Sequence, residues 1–538
     1  MRISMRVWLA LTILIPGVRS VDFPSCLAEV RSGQWGQTGG TDSQGHPVAN
    51  ISNAIGVTYE LCLVACGSGQ APFQWSIFSQ QFAAWLLPYL ALVSQLPFGA
   101  RYRPDNVVSM LLAVGSPTLA AYSLALTALN GYWIAQRFSD VNYPNARNAV
   151  KILSSLQQSP VQVNAKDSLF ASLVVLHKND EFWEDLLERL DFVHTWSIPA
   201  VASILWVIIA YVFTVVDSFT GTVTFSALNA SGQAVGSIFL WLLPIVVGWL
   251  QISPKCESER LNHALDKANA IAYVAALRGA PIRASDRSDA RAIYIRNDRH
   301  AGEIHRDEQR TPPIYNYARF LPWTLAVEHV YCAFREASKR SSSRHPVNPR
   351  GRWRNGDENN RQGCQSQVTA YVSRGPTILP QSRWGPGVGY RFLLAAFAAL
   401  GLTWGTVGAA IVIAFFTPTK GLACRSGSFL IYGVNSTIVW LFLVASSGLA
   451  HHCTLQTEET RFLGAFSIFL RRCAKILASL NASWIILVCL FQFSSFFDRC
   501  WCDSSVFYLG AKKAYNVIDI TDEAAVRVPW FGGLALAA

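Results

Sequence analysis

The chain has 538 residues, 51% of them hydrophobic and only 15% charged, against the roughly 25% charge of a typical soluble domain. Mean hydropathy is +0.25 and the apolar residues come in long blocks, which excludes an ordinary soluble multi-domain chain and points to solvation by lipid. The net charge of +11 is no nucleic-acid signature, because 22 Lys/Arg against 13 Asp/Glu between Ser253 and Tyr390 place +9 of it in one hydrophilic segment.

Arg2 and Arg6 precede a short apolar run from Val7 to Pro16, and Val18-Arg19-Ser20 follows. This predicts a signal peptide over 1–20, cleaved after Ser20, since about ten apolar residues are too few to span a bilayer. Residues 21–73 are polar and carry Cys26, Cys62 and Cys66 with the sequon Asn50-Ile51-Ser52. They read as a small lumenal or extracellular head in which disulfides persist. Three cysteines cannot all pair within it, so one is free or reaches a later external loop.

Seven apolar segments follow, at 77–98, 107–134, 197–216, 234–252, 392–416, 429–450 and 477–497, with no Asp, Glu, Lys, Arg or His inside any of them. At 1.5 Å per residue most match a hydrocarbon core of about 30 Å. Trp75, Trp133, Trp196, Trp384 and Phe497 stand near their ends, where aromatic belts form. They group as a first membrane set (74–252), a hydrophilic basic loop (253–390), a second set (391–498) and a C-terminal tail (499–538).

Two topologies compete. If all seven segments cross, the basic loop lies outside and the tail inside. Three observations pull the other way: the sequon Asn229-Ala230-Ser231, the cluster Arg461, Arg471, Arg472 and Lys475, and a repeat. Trp85-Leu86-Leu87-Pro88 recurs as Trp241-Leu242-Leu243-Pro244, each with a Gln seven residues after the Pro (Gln95, Gln251), so the two helices should point the same way. Six crossings satisfy all three if 107–134 enters and leaves on the cytosolic side, turning at Gly115-Ser116-Pro117. That arrangement also puts Cys26, Cys62, Cys66, Cys424, Cys500 and Cys502 on one external side. Long loops translocate largely regardless of charge, so the basic loop does not decide between them.

In the hydrophilic parts, Phe182, Leu186, Leu190 and Val193 mark one face of a helix over Asp180–Val193. Glu257–Arg278 reads as a second helix. A third, within Ile314–Arg340, carries Phe320, Leu321, Trp323 and Leu325 beside basic residues and is expected in the headgroup plane. Arg340–Asn360 is expected to be disordered, and the tail shows no clear period.

Chemistry-bearing motifs are few. Cys500-Trp501-Cys502 lacks the C-x-x-C spacing of redox sites and reads as structural. His451-His452-Cys453 reads as the polar end of a helix, because no second ligand pair stands at zinc spacing. Cys256, Cys332 and Cys364 read as ordinary thiols. Gly401 and Gly405, with Ala409, offer a small-residue face for helix packing. Gln80, Gln81, Gln95, Gln251, Asn435 and Gln492 read as interhelical hydrogen-bonding groups, or as the lining of a solute path. The matches Asn435-Ser436-Thr437 and Asn481-Ala482-Ser483 lie in or beside the lipid core and should stay unglycosylated. No catalytic, cofactor-binding or metal residue is assigned: no P-loop, dinucleotide turn, H-E-x-x-H or G-x-S-x-G occurs.

Two stretches, Trp75 to Pro88 continuing to Gly99, and Gly115 to Asn130, resemble multi-spanning membrane proteins of filamentous fungi that have no assigned activity. The likeness covers about the first quarter of the chain. It implies a membrane location and a fungal source, and it supplies no functional residues.

The expected architecture is an all-α polytopic transmembrane bundle of six or seven spans, with a disulfide-bearing external head and a large basic loop. It is expected in the membranes of the secretory pathway, the plasma membrane foremost, glycosylated at Asn50 and Asn229. The expected function is that of a non-enzymatic receptor-like or scaffold-like protein whose 253–390 loop binds protein partners; the alternative is a passive transporter or channel for an uncharged or lipid-like solute. Neither cofactor nor nucleic acid is expected.

Overall fold

A computed structural model describes residues 20–98, 103–191, 196–220, 232–255, 258–287, 291–296, 303–310, 314–373, 384–454, 461–520 and 523–537. The segment before Ser20, Asn229, Val193 and Cys256 lie outside the described residues. Helix α1 (Phe23–Arg31) opens with Pro24 in its first turn, where the missing N–H has no partner to lose. Strands β1 (Gly40–Thr41) and β2 (Gly56–Thr58) pair antiparallel behind it. Helix α2 (Trp75–Ser94) then enters the bundle. Its turn at Phe82–Leu86 widens to π geometry just ahead of Pro88, whose ring clashes with the carbonyl four residues back.

Helices α3 (Arg103–Gly115) and α4 (Pro117–Arg137) meet at a bend of 100°. The local sequence dictates it. Pro117 takes the first helical position, and the Ser116 hydroxyl caps α4 by accepting from the Leu119 N–H at 3.3 Å. A Cβ on Gly115 would lie 2.0 Å from the Ala478 carbonyl oxygen, so only glycine fits.

The chain continues through α5 (Ala146–Ser155), β3 (Val161–Val163), α6 (Leu169–Val175) and α7 (Asp180–Leu190). Helices α8 (Ile198–Thr220) and α9 (Gly232–Ile252) both pack on α2, and the Tyr211 and Ser237 hydroxyls meet between them at 3.1 Å. Beyond them come α10 (Ser258–Ile271), β4 (Tyr273–Val274), β5 (Ile282–Arg283), β6 (Ile293–Ile295), α11 (Phe320–Ser342) and α12 (Gln365–Val372). The long helices α13 (Val388–Phe416), α14 (Cys424–Thr454) and α15 (Arg461–Phe493) follow, then β7 (Tyr515–Val517) and α16 (Glu523–Ala537). Among the described residues six helices, α2, α8, α9, α13, α14 and α15, are long and apolar enough to cross a membrane. At 29, 31 and 33 residues, the last three outrun a core of about 30 Å. The segment that carries Arg461, Arg471, Arg472 and Lys475 thus belongs to α15 rather than to a loop.

The two ends of the bundle are built differently. At one end, β7 pairs with β2; Cys26–Cys66 closes the head, Cys62–Cys500 ties it to the tail, and Cys424–Cys502 ties the tail to the start of α14. Head and tail are therefore one cap rather than two units, and an Arg31–Asp519 ion pair adds to it.

At the other end, residues drawn from 138–190, 261–293 and 323–371 share a core of their own as one domain, whereas Ile314, Tyr315, Phe320 and Leu321 pack in the core of the bundle. Strand β3 pairs with β6, the Asn179 amide donates to the Tyr273 carbonyl, and Trp323 Nε1 donates to the Leu153 carbonyl at 3.0 Å. Phe182, Leu186 and Leu190 are buried there, as their spacing implies. Helix α11 departs from expectation. Phe320, Leu321 and Trp323 are buried between bundle and domain, because a protein face competes with the headgroup region for the same apolar stripe. The Arg340–Asn360 stretch has little regular structure but is not a free coil. Val347 is buried and donates its N–H to the buried Asn360, whose side chain accepts from the Arg354 N–H.

The bent pair α3–α4 starts and finishes at the domain end, where Tyr315 donates to the Ser109 carbonyl and Arg137 makes a two-pronged pair with Glu328. Its tip reaches α14 and α15 in mid-bundle. The Cys62–Cys500 bridge holds the two flanks of the bundle at one end, which an odd number of passes cannot do. The repeated Trp-Leu-Leu-Pro helices lie side by side and parallel: Gly232 faces Gln81, Gly236 faces Trp85, and Tyr89 packs on Phe239 at 5.1 Å.

Candidate functional site

Helix α11 leaves the bundle alongside α4 and in the same direction. Glu328 pairs with Arg137, Arg335 stands 3.8 Å from Asp140, and Ser338 binds the backbone of Asn142. Arg340 consequently lies about 24 Å further out than Thr324 at helical rise. A groove of 760 Å³ opens there between the end of α11, the 343–349 turn and α12. Lys339, Arg340, His345 and Gln367 supply its polar lining, and Pro346 and Tyr371 its apolar one. The Arg340 guanidinium sits over the Tyr371 ring at 5.7 Å.

Arg344, Arg350, Arg352 and Arg354, on the stretch of chain that supplies the 343–349 turn and continues past it, are exposed. Arg361 anchors this strand of chain, with bonds of 2.8 and 2.7 Å to both oxygens of Asp180 and a third to the Val175 carbonyl. The basic side chains are thus presented by a fixed frame. Between Arg335 and Arg361 the chain carries eight Lys/Arg against three Asp/Glu, a local excess of positive charge that favours anions.

Three further polar clusters join the parts of the molecule. Arg391, 1% exposed, connects α13 to α4 and α11 by donating to Asn130 Oδ1 (2.6 Å) and Thr324 Oγ1 (3.2 Å), with Trp133 beneath it at 3.8 Å. Asp307 receives Lys475 Nζ at 2.6 Å, Arg471 Nε at 3.5 Å and the Tyr317 hydroxyl at 2.8 Å, beside a 20 Å³ cavity with room for about one water. At the cap, Arg425 binds Gln492, Asp498 and Asp503. Burial pushes the Asp503 carboxyl up to about 7, against the pull of Arg425 and with the help of Asp498.

The cysteines Cys26, Cys62, Cys66, Cys424, Cys500 and Cys502 come together as the three disulfides. The sulfurs of Cys62, Cys66 and Cys500 lie within 4.8 Å of one another, a spacing that metal thiolates also adopt, but all three are engaged in disulfides. Asn50 is exposed and caps a short turn by accepting from the Ser52 N–H. A Cβ on Gly405 would meet the Leu536 carbonyl of α16, whereas one on Gly401 would have none of the described atoms within 4 Å. Trp75, Trp196 and Trp384 are exposed, Trp133 is half-buried and Phe497 buried. The ring of the buried His451 packs on Trp384 at 5.6 Å.

The described amides lie at separate levels of the bundle. Gln81 faces Gly232, Gln492 holds Arg425, Asn435 bonds Asn481, and Gln251 is exposed at the opposite end from Gln492. Asn481 and Ser436 instead serve the α3–α4 tip. Asn481 donates to the Gly115 and Tyr432 carbonyls, Ser436 accepts from the Thr118 N–H, and Tyr432 donates to the Val114 carbonyl.

Sequence reasoning missed Arg391 and the Asp307 cluster. Arg391 stands one residue ahead of the apolar run 392–416. Arg471 and Lys475, four apart on α15, would have shown a charged face had the helix been extended toward its N-terminus. Nothing in the sequence points to Asp307 as their partner.

The chain matches no protein-family model, no curated protein and no solved structure. Its fold is a helical bundle in which six described helices are long and apolar enough to cross a membrane, with a helix pair bent by 100°, a disulfide cap at one end and a basic-grooved domain at the other.

Proposed function

We propose that this is a multi-pass protein of a secretory-pathway membrane, the cap outside and the domain in the cytosol, acting as a non-enzymatic receptor-like or scaffold-like protein. Its partner is the acidic segment of a soluble cytosolic protein, held in the groove of α11 and α12. The plasma membrane is the expected location. Membrane residence is supported by the apolar surface the bundle leaves uncovered. On α8 alone Leu205, Trp206, Ile208, Ile209, Val212 and Phe213 are exposed, more than a water-soluble surface carries in one patch.

The basic groove carries the partner reading. Its distance from the bundle, about 24 Å along α11, exceeds the Debye length of about 8 Å, so the headgroups beside the bundle exert little pull there. Four exposed arginines and a 760 Å³ groove with an apolar wall suit an extended acidic peptide that also carries apolar side chains.

The test uses the full chain in detergent and a fluorescent poly-glutamate peptide, followed by anisotropy. Changing Arg340, Arg350, Arg352 and Arg354 together to Glu should weaken binding at least tenfold and flatten its salt dependence. Unchanged binding would remove the reading. Tighter capture of anionic vesicles or of RNA than of the peptide would replace the partner class.

A further inference from the structure

We propose that the cap is a thiol–disulfide exchange site, in which Cys66 can trade partners with the Cys62–Cys500 bridge. The observation is the meeting of two disulfides: Cys26–Cys66 and Cys62–Cys500 place the sulfurs of Cys62, Cys66 and Cys500 within 4.8 Å of one another. Cys62 and Cys66 are brought to this point by the π-turn Cys62–Cys66, and Cys500 by the short helix Cys500–Asp503 that packs against it. Cys62 and Cys500 are buried at 0% and 1% exposure, whereas Cys66 is half-buried. An outside reagent therefore meets Cys66 first, and the inner bridge is reached through it.

The chemistry balances in two steps. An external dithiol reduces Cys26–Cys66, leaving with its own sulfurs joined as a disulfide, while Cys26 and Cys66 become thiols. The Cys66 thiolate then attacks the Cys62–Cys500 bond. One new S–S bond forms from Cys66 to Cys62 or to Cys500, the old bond breaks, and the displaced sulfur leaves as a thiolate. No oxidant or reductant is consumed in this second step. Departure of Cys500 would cut the covalent tie between head and tail and leave the β2–β7 pairing and the Arg31–Asp519 pair to hold them. The substrate class is a small dithiol or a dithiol protein on the cap side. The inference is independent of the groove and of any partner bound there.

A pair of variants of the full chain in detergent tests it, with acid quench, alkylation and peptide mapping of the free thiol. In Cys26→Ser the unpaired sulfur starts at Cys66, inside the triad, and should be found mainly at Cys62 or Cys500. In Cys66→Ser it starts at Cys26, outside the triad, and should stay there. A thiol confined to Cys66 in the first variant would overturn the proposal, as would equal scrambling in both. Should either variant fail to fold, the unaltered chain treated with one equivalent of dithiothreitol serves: a Cys62–Cys66 or Cys66–Cys500 peptide supports exchange, and its absence after Cys26–Cys66 reduction refutes it.

Discussion

At the scale of the residue, the charged groups nearest the apolar helices do the joining. Arg391 has no carboxylate among its hydrogen-bond partners. It is satisfied by one amide, one hydroxyl and the Pro386 and Gly387 carbonyls, and it rests on an aromatic face. A buried charge is tolerated only when so many donors are used. Asp503 carries a pH consequence. Its folded-state value of about 7 exceeds the ordinary 3.8, so between pH 4 and 7 the native cap holds a proton that the unfolded chain gives up. Stability from this group is therefore full at the acid end and falls as pH rises toward and through 7. Asp503→Asn should remove that slope, measured as the difference in thermal midpoint between pH 5 and 7.5 against the unaltered chain. An unchanged slope would mean Arg425 keeps Asp503 ionised throughout.

At the scale of the element, the α3–α4 pair shows how unpaired backbone is kept in an apolar interior. Its tip exposes carbonyls of Val114 and Gly115, and Tyr432 and Asn481 donate to them. In lipid each such group left alone would cost several kcal/mol. The pair closes only because Gly115 presents no side chain to α15. Gly115→Ala should lower the melting midpoint in detergent, by a cost on the order of 1–3 kcal/mol, occasionally more, for an overpacked site. A variant as stable as the parent would show that α15 can withdraw. The same logic seats α16 on α13, where Gly533 faces the Ala409 carbonyl and Gly405 the Leu536 carbonyl. The sequence signalled half of that contact at Gly405 and gave no hint of its partner helix.

At the scale of the whole molecule, topology decides which surfaces share a compartment. The proposed arrangement has a labelling consequence. Cys364 is half-buried at the start of α12, and a hydrogen bond with the Ser366 hydroxyl lowers its thiol from the ordinary value. It should be the readiest target of a maleimide among the described free cysteines, ahead of buried Cys453 and Cys489. An impermeant maleimide should label Cys364 only after cells are permeabilised. Labelling in intact cells would put the basic groove outside and send the search toward extracellular ligands.

Much of this architecture is legible in the sequence, because length and hydrophobicity alone make a segment able to cross lipid, and because Gly-Ser-Pro marks a turn by local backbone chemistry. Counting passes leaves six and seven open; the six-pass alternative, which the Trp-Leu-Leu-Pro repeat favours, is the one that groups the six cysteines that pair in the cap. Pairing is another matter. Which cysteine meets which, that the tail completes the head, that residues from 138–190, 261–293 and 323–371 share one core, and that Arg391 finds Asn130 and Asp307 finds Lys475 all depend on contacts between residues far apart in the chain. Local sequence fixes the range of shapes an element can take, whereas the partner of each polar group is chosen by which surfaces the bundle brings together, and only the tertiary structure holds that choice.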